Sequence, residues 1–250
     1  MIPLSEVVAR SRRPNHEENV WIYPVSGRIA KYFSWLFLNL GMSANQVTVL
    51  FWLCGVGSAA AYLFDRPGWS VVGLLLFRLH ILFDVCDGEV ARFRGTISRY
   101  GVYWDQLIHV TTYPLVLGCL GLGRLLHGGE VWVAAAAMLA MTARGAEVAL
   151  KNIHLRTRYQ AGEPYPQARA AAARPAPGAR RAAASLLIRL ASLDAFLLFH
   201  AFAGFLPPAG GIELRDALLA AYALAFLAAL AAKALLIPRR GGLPMRKDLR

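Results

Sequence analysis

Charge is scarce in this sequence of 250 residues, where charged side chains make up 17% and hydrophobic ones 57%. A soluble domain carries about a quarter charged residues, so a water-soluble globule is excluded. Acidic residues are scarcer still, with 15 Asp and Glu against 27 Lys and Arg, giving a net charge of +12. Any carboxylate inside an apolar stretch therefore needs a reason. There are three cysteines, Cys54, Cys86 and Cys119, all in apolar stretches and without CxxC spacing, which argues against a disulfide framework or a zinc site. The basic excess is not accompanied by any basic and aromatic recognition motif, so nucleic acid is not expected as a partner. Met1 to Arg10 lacks the apolar core and small-residue cleavage site of a secretory leader, and no processing is expected. Neither an internal repeat nor a second soluble domain is visible.

What is present is a set of long apolar runs, reflected in a mean hydropathy of +0.43. About twenty residues of helix cross roughly 30 Å of hydrocarbon. Runs of that length lie at 45–64, 70–91, 99–123, 131–151, 184–206 and 214–237. The expected fold is an all-α polytopic membrane protein of six transmembrane helices plus an N-terminal interfacial amphipathic helix. Its parts are a cytoplasmic or interfacial segment over 1–44, a membrane domain over 45–237 and a basic tail over 238–250.

Lys and Arg set the expected orientation, because cytoplasmic loops carry the positive excess. Segment 1–44, the turn at 92–99, the loop at 151–182 and the tail after Pro238 together hold twenty, against Arg66, Arg124 and Arg215 in the other three turns. Both termini, and the 92–99 end of spans two and three, are expected to face the cytoplasm. The lipid bilayer and its anionic headgroups account for the basic charge.

Residues 26–40 place Ile29, Phe33, Leu36, Phe37 and Leu40 at helical spacing beside Arg28 and Lys31. That stretch is too short to span, and reads either as a helix lying in the interface or as one packed on its own protein. Trp21, Tyr23, Tyr32 and Trp35 suit headgroup-level anchors. The Ala, Arg and Pro-rich segment 167–184 reads as a basic linker, or as a lid offering arginines to an anionic substrate.

The chemistry concentrates in Asp84-Val-Cys-Asp87-Gly88-Glu-Val-Ala91-Arg92 and Gly101-Val-Tyr-Trp-Asp105-Gln-Leu-Ile-His109. On a helix, Asp84, Asp87, Gly88, Ala91 and Arg92 share one face, and Gly101, Asp105 and His109 share another. A chain reversal near Thr96 would put Asp87 and Asp105 each about 13 Å from the turn, at about 1.5 Å rise per residue. Asp84 and His109 would likewise meet at one depth. Such a cluster of carboxylates is stable when cations fill it, and it reads as a divalent-metal site.

This pattern resembles the signature of the CDP-alcohol phosphotransferases, with seven of eight positions in agreement. Gly41-Met-Ser43-Ala44-Asn45-Gln-Val-Thr48 is similar to the family's threonine-proline-asparagine-x-x-threonine opening, with Ala44 in the proline's place. The resemblance implies transfer of a substituted phosphate from a CDP-linked donor, often CDP-diacylglycerol, to an alcohol acceptor that the sequence does not name, with release of CMP. It implies that Asp84, Asp87 and Asp105 ligate two divalent cations, Mg2+ or Mn2+, and that Asn45, Thr48, Gly88, Ala91 and Arg92 serve the nucleotide. Gly101 would let spans two and three approach closely. A homodimer is also implied, in a bacterial-type inner membrane.

The resemblance breaks at His109, where the family has an aspartate that acts as general base. A neutral imidazole, with an ordinary pKa of about 6.5, can accept the proton of an acceptor hydroxyl, which makes His109 the candidate catalytic residue. It can also ligate metal, and the loss of one negative charge leaves three carboxylates for two dications. Among the other intramembrane charges, Arg144 and Glu147 suit a mutual pair, Arg144 and Lys151 are candidates for acceptor binding, and Arg78 suits Asp194 or Glu213. Arg189 is expected to snorkel. A silent homologue that binds CDP-lipid or a partner, and a cation-coupled transporter, stand as the alternative classes.

Overall fold

The computed structural model describes residues 1–11, 26–160, 192–208 and 212–240, and within them all regular elements are helices. In chain order these are α1 (Leu4–Ser11), α2 (Ser26–Asn39), α3 (Ala44–Tyr62), α4 (Pro67–Arg94), α5 (Arg99–Leu126), α6 (Val131–Gln160), α7 (Leu193–Ala203) and α8 (Leu214–Arg240). Trp21, Tyr23, the 167–184 segment and Arg189 lie outside the described residues, as do the side chain of Lys151 and the tail beyond 240.

Local sequence explains where the helices begin and turn. Ser43 caps α3 by accepting from Gln46 N, while the Gln46 side chain accepts from Ser43 N, a reciprocal capping box. Pro67 opens α4, where its missing N–H costs nothing. Gly95 ends α4 in the left-handed region at φ 66°, a conformation that favours glycine. Ser98 then caps α5 through Gly101 N. The reversal expected near Thr96 is therefore present, built by a glycine stop and a serine start.

Among the described residues, five helices are long and apolar enough to cross a membrane: Ala44–Tyr62, Pro67–Arg94, Arg99–Leu126, Val131–Leu150 and Leu214–Leu235. The chain is an integral membrane protein. Of the sixth expected span, 184–206, the described residues form the apolar helix α7 of 11 residues. At about 1.5 Å per residue it rises about 16 Å, roughly half of a hydrocarbon core.

Helix α4 is the central post. It packs against α3, α2, α1 and α7, while α5 joins α3 to α6 and α6 joins α5 to α8. One apolar cluster is formed by Tyr62, Phe77, Ile81, Leu117, Leu120, Phe196, Leu197 and Leu219 with their neighbours. A second, formed by Val7, Phe37, Leu38, Val47, Leu82, Cys86, Val90 and Phe93, seats α1 and α2 against α4. Both readings of 26–40 find support in its two faces. Helix α2 buries Ala30, Ser34, Phe37 and Leu38, whereas Ile29, Leu36 and Leu40 are exposed. It is packed on its own protein along one face and presents apolar side chains outward along another. Ser34 Oγ donates to Glu89 at 2.7 Å, and Cys86 Sγ lies 3.6 Å from Ala30 O, so the contact with α4 is polar at its centre.

At the opposite end from the Thr96 reversal, Arg124 donates to Asp65 at 2.8 Å and to Asp216 at 2.6 Å, and Arg215 donates to Asp65 at 2.8 Å. Glu213 accepts from both arginines. Arg124 and Arg215, counted in the sequence as turn cations, are thus buried members of a network that ties α5 and α8 to the α3–α4 turn. Arg78 pairs with Asp194 at 2.5 Å, which settles its two expected partners in favour of the one on α7.

Candidate metal and active site

Asp84 and Asp87 reach the site from α4, Asp105 and His109 from α5, and Thr48 from the first turns of α3. Each helix enters at a fixed depth because the capped reversal at 95–98 sets the α4 to α5 register. His109 Nε2 lies 3.2 Å from Asp84 Oδ1 and 3.4 Å from Asp105 Oδ1. One ligand atom from each of Asp84, Asp105 and His109 falls within 4.8 Å of the others. The antiparallel pairing of Asp84 with His109, read from distances to the turn, is therefore found in the structure.

Asp87 stands apart from that trio. Its Oδ2 lies 2.9 Å from Thr48 Oγ1, which also lies 3.0 Å from the Ala44 carbonyl. Thr48, expected to serve the nucleotide, thus supports a carboxylate. Asn45 is exposed in the first turn of α3, and Gly88 and Ala91 are half-buried on α4. Arg92 Nε donates to the Ser11 carbonyl at 2.6 Å, which caps the C-terminal end of α1. Gly101 does not mediate a close approach of α4 and α5, as was expected. A Cβ there would meet the capping Ser98 Oγ at 3.3 Å, so its small size serves the start of its own helix.

Arg144 donates to Glu147 at 2.6 Å, the pairing expected from their spacing, and Lys233 of α8 is bonded to the same carboxylate. Its guanidinium lies 4.9 Å from the Tyr113 ring and 5.3 Å from the Phe226 ring. Tyr113 in turn lies 5.6 Å from the His109 ring. Arg144 is thereby joined to the cluster through one aromatic side chain.

Sequence reasoning missed the layer beneath His109. His80, one helical turn before Asp84, is fully buried with Nδ1 2.9 Å from the Phe51 carbonyl. Its Nδ1 carries the proton, because a carbonyl can only accept. The His80 and His109 rings meet nearly edge to face at 5.9 Å, and Phe51 lies 5.3 Å from His109. Gly55 makes this possible. A Cβ on it would stand 2.6 Å from Thr112 Cγ2 and 2.7 Å from His80 Nδ1. The available signals were spacings of four, from His80 to Asp84 and from His109 to Tyr113, together with a glycine in mid-span.

The donor set suits a divalent cation. Two carboxylates and an imidazole converge, and buried Asp105 Oδ1 has no hydrogen bond better than its 3.4 Å approach to His109 Nε2 among the described residues, so a cation would satisfy it more fully.

The model of the family described as CDP-alcohol phosphatidyltransferase matches residues 41–227. The chain belongs to the CDP-alcohol phosphatidyltransferase family. Members use CDP-alcohol donors and alcohol acceptors and generally depend on divalent metal. The chain is similar to the Archaetidylinositol phosphate synthase of Aeropyrum pernix, with 30% identity over 112 residues, covering 42% of this chain and 56% of that protein. It is also similar to the Bifunctional IPC transferase and DIPP synthase of Archaeoglobus fulgidus, with 34% identity over 67 residues, covering 27% of this chain and 13% of that protein. In both cases the matched part is less than two thirds of the relative's length. The matched span of the family model contains every residue of the Asp and His cluster.

Proposed function

We propose that this protein transfers a substituted phosphate group, phosphatidyl in the leading case, from a CDP-linked donor to an alcohol acceptor, releasing CMP in the synthesis of a phospholipid or related phosphodiester. The convergence of Asp84, Asp105 and His109 on one point of a membrane-embedded helix pair, inside a family match, carries this reading. Asp84, Asp87, Asp105 and His109 are the residues that would hold divalent cation, Mg2+ or Mn2+. When bound, such cations screen the negative charge of a diphosphate and of the departing phosphate.

The chain's own residues do the rest. Asn45, Gly88 and Ala91 lie at the end of the site nearest the Thr96 reversal and offer room for a nucleotide against the helix backbone. Arg92, held by the Ser11 carbonyl on the same helix as Asp84 and Asp87, would serve a donor phosphate. The proton lost by the acceptor hydroxyl passes to the Asp and His cluster. Arg144, and Lys151 two turns further along α6, supply positive charge for an anionic acceptor. The names of the relatives put inositol phosphate first among acceptors to be tried. The basic bias of the termini and of two loops supports a site open to the cytoplasm in a cytoplasmic membrane, and family membership supports a homodimer.

The test is CMP release by purified protein supplied with CDP-diacylglycerol and a panel of alcohols, including inositol phosphate, glycerol phosphate, inositol and serine, in Mg2+ and in Mn2+. Release that requires one acceptor and one metal supports the proposal and names the product. No release from any pairing, with CDP-lipid still bound, would leave the chain as a binding homologue.

A further inference from the structure

We infer that His109 is itself a metal ligand through Nε2, and that it makes this a mixed oxygen and nitrogen centre holding one dication tightly, Mn2+ in preference to Mg2+. The inference rests on the metal-dependent reading above and specifies which atoms of this chain meet the metal.

Four observations carry it. His109 Nε2 faces the same space as the two carboxylates, at 3.2 Å from Asp84 Oδ1 and 3.4 Å from Asp105 Oδ1. Donors bound to one ion at about 2.0–2.2 Å stand no more than about 4.4 Å apart, and the three donors here lie within 4.8 Å of one another, so a small inward shift of side chains meets that limit. Asp105 Oδ1 is buried and has no hydrogen bond among the described residues better than that 3.4 Å approach. Asp87 lies outside the trio, with Oδ2 engaged by Thr48.

Charge balance points the same way. Two carboxylates and a neutral imidazole offset one dication, whereas four carboxylates would offset two. Mg2+ takes oxygen ligands almost exclusively, and a nitrogen donor shifts preference toward ions such as Mn2+ and those that follow it in the affinity order. A metal-bound Nε2 also has no lone pair left for a proton, so proton acceptance falls to another atom of the cluster.

The experiment titrates the purified full chain in detergent with Mn2+ alone. Free ion is counted by electron paramagnetic resonance, and pulsed measurements on the bound ion read nitrogen hyperfine coupling. The expected result is about one tight Mn2+ per chain, in keeping with a single mixed-donor centre, with a nitrogen coupling that changes when the histidines carry 15N. That labelled comparison needs no variant and so does not depend on a variant folding. In His109→Asp the nitrogen coupling should vanish, the count of bound Mn2+ should rise toward two, and Mg2+ should compete better. His109→Gln should lose the coupling without gaining the second ion. Bound Mn2+ in the wild type with no histidine coupling, or two equivalent oxygen-ligated ions, would overturn the inference. CMP release is read separately. Nitrogen-ligated Mn2+ without CMP release retains the inference and removes the transferase reading, whereas CMP release with all-oxygen ligation removes the inference alone.

Discussion

Thr48 on α3 and Asp87 on α4 are joined side chain to side chain at 2.9 Å, which ties the capped start of one helix to the carboxylate face of the next. Because Thr48 Oγ1 is also 3.0 Å from the Ala44 carbonyl, its rotamer is set by its own helix before it meets Asp87. Removing an outer partner of a ligating carboxylate typically costs about 10–100-fold in metal affinity or activity. Thr48→Val, which keeps the shape and deletes the hydroxyl, should lower the rate of CMP release by about that factor. Thr48→Ser should retain most of it. Equal activity in Thr48→Val would mean that Asp87 needs no such support.

Asp105→Asn tests the carboxylate trio directly. It keeps volume and hydrogen-bonding capacity but removes the charge that stands 3.4 Å from His109 Nε2. CMP release should fall below detection, and bound Mn2+ should drop with it. Asp87→Asn should also abolish turnover, while leaving tight Mn2+ binding by Asp84, Asp105 and His109. A variant of Asp105 that turns over normally would sink the metal-site assignment.

At Gly55 α3 lies tight against both α4 and α5, since a Cβ would stand 2.6 Å from Thr112 and 2.7 Å from His80. Both neighbours are buried, and neither can yield as the tip of a flexible chain would. Overpacking a close-packed interior costs about 1–3 kcal/mol. Gly55→Ala should lower the thermal midpoint measured by intrinsic fluorescence, and Thr112→Ser in the same chain should recover part of the loss by removing the opposing methyl.

The carboxylate positions were legible because helical spacing and distance from a glycine turn are properties of sequence alone. Asp84 and His109 pair as those distances require. The role of Thr48 was not legible, since nothing in Asn45-Gln-Val-Thr48 says which residue of another helix its hydroxyl will meet. His80 and Gly55 were obscured for a related reason. A lone buried histidine acquires meaning only when the neighbouring helix supplies a carbonyl, here that of Phe51. The hydropathy pattern located five spans closely, because long apolar runs of helical length are a property of composition, and the run at 184–206 lies partly outside the described residues. The Asp65, Arg124 and Arg215 network escaped because its charges flank the connections between apolar runs, where solvent exposure is the ordinary expectation.

Arg92 and the Ser11 carbonyl form another link that sequence spacing could not show, 2.6 Å across 81 residues. Helix α1 is held further by Arg10, which donates to the Phe93 carbonyl at 3.1 Å and lies over the Phe93 ring. If α1 positions Arg92 toward a donor phosphate, deleting residues 2–11 should raise KM for the CDP-linked donor by about tenfold, the worth of one charge-assisted hydrogen bond. The KM for the acceptor should stay as it is. Arg92→Lys, which loses the planar fork, should show the same split.

Arg124 offers the sharpest stability test. Its side chain is 8% exposed and serves Asp65 and Asp216, each 7% exposed. Truncating one partner of a buried ionic network leaves uncompensated charge and typically costs about 3–5 kcal/mol. Arg124→Ala should therefore unfold at markedly lower temperature or denaturant than wild type, with CMP release per folded molecule little changed because the network lies at the far end of α5 from Asp105. Glu213, at the edge of the same network, adds a pH signature. Burial raises its proton affinity, but the hydrogen bond from Arg215 and the charges of Arg215 and Arg124 outweigh that and hold it below the ordinary glutamate value. The stability it contributes is therefore present above the ordinary glutamate range and is lost as pH falls through the lower folded-state value. Glu213→Gln should flatten that acid limb in a denaturation series while leaving stability near neutral pH only slightly reduced. An unchanged acid limb would overturn the assignment of that response to Glu213.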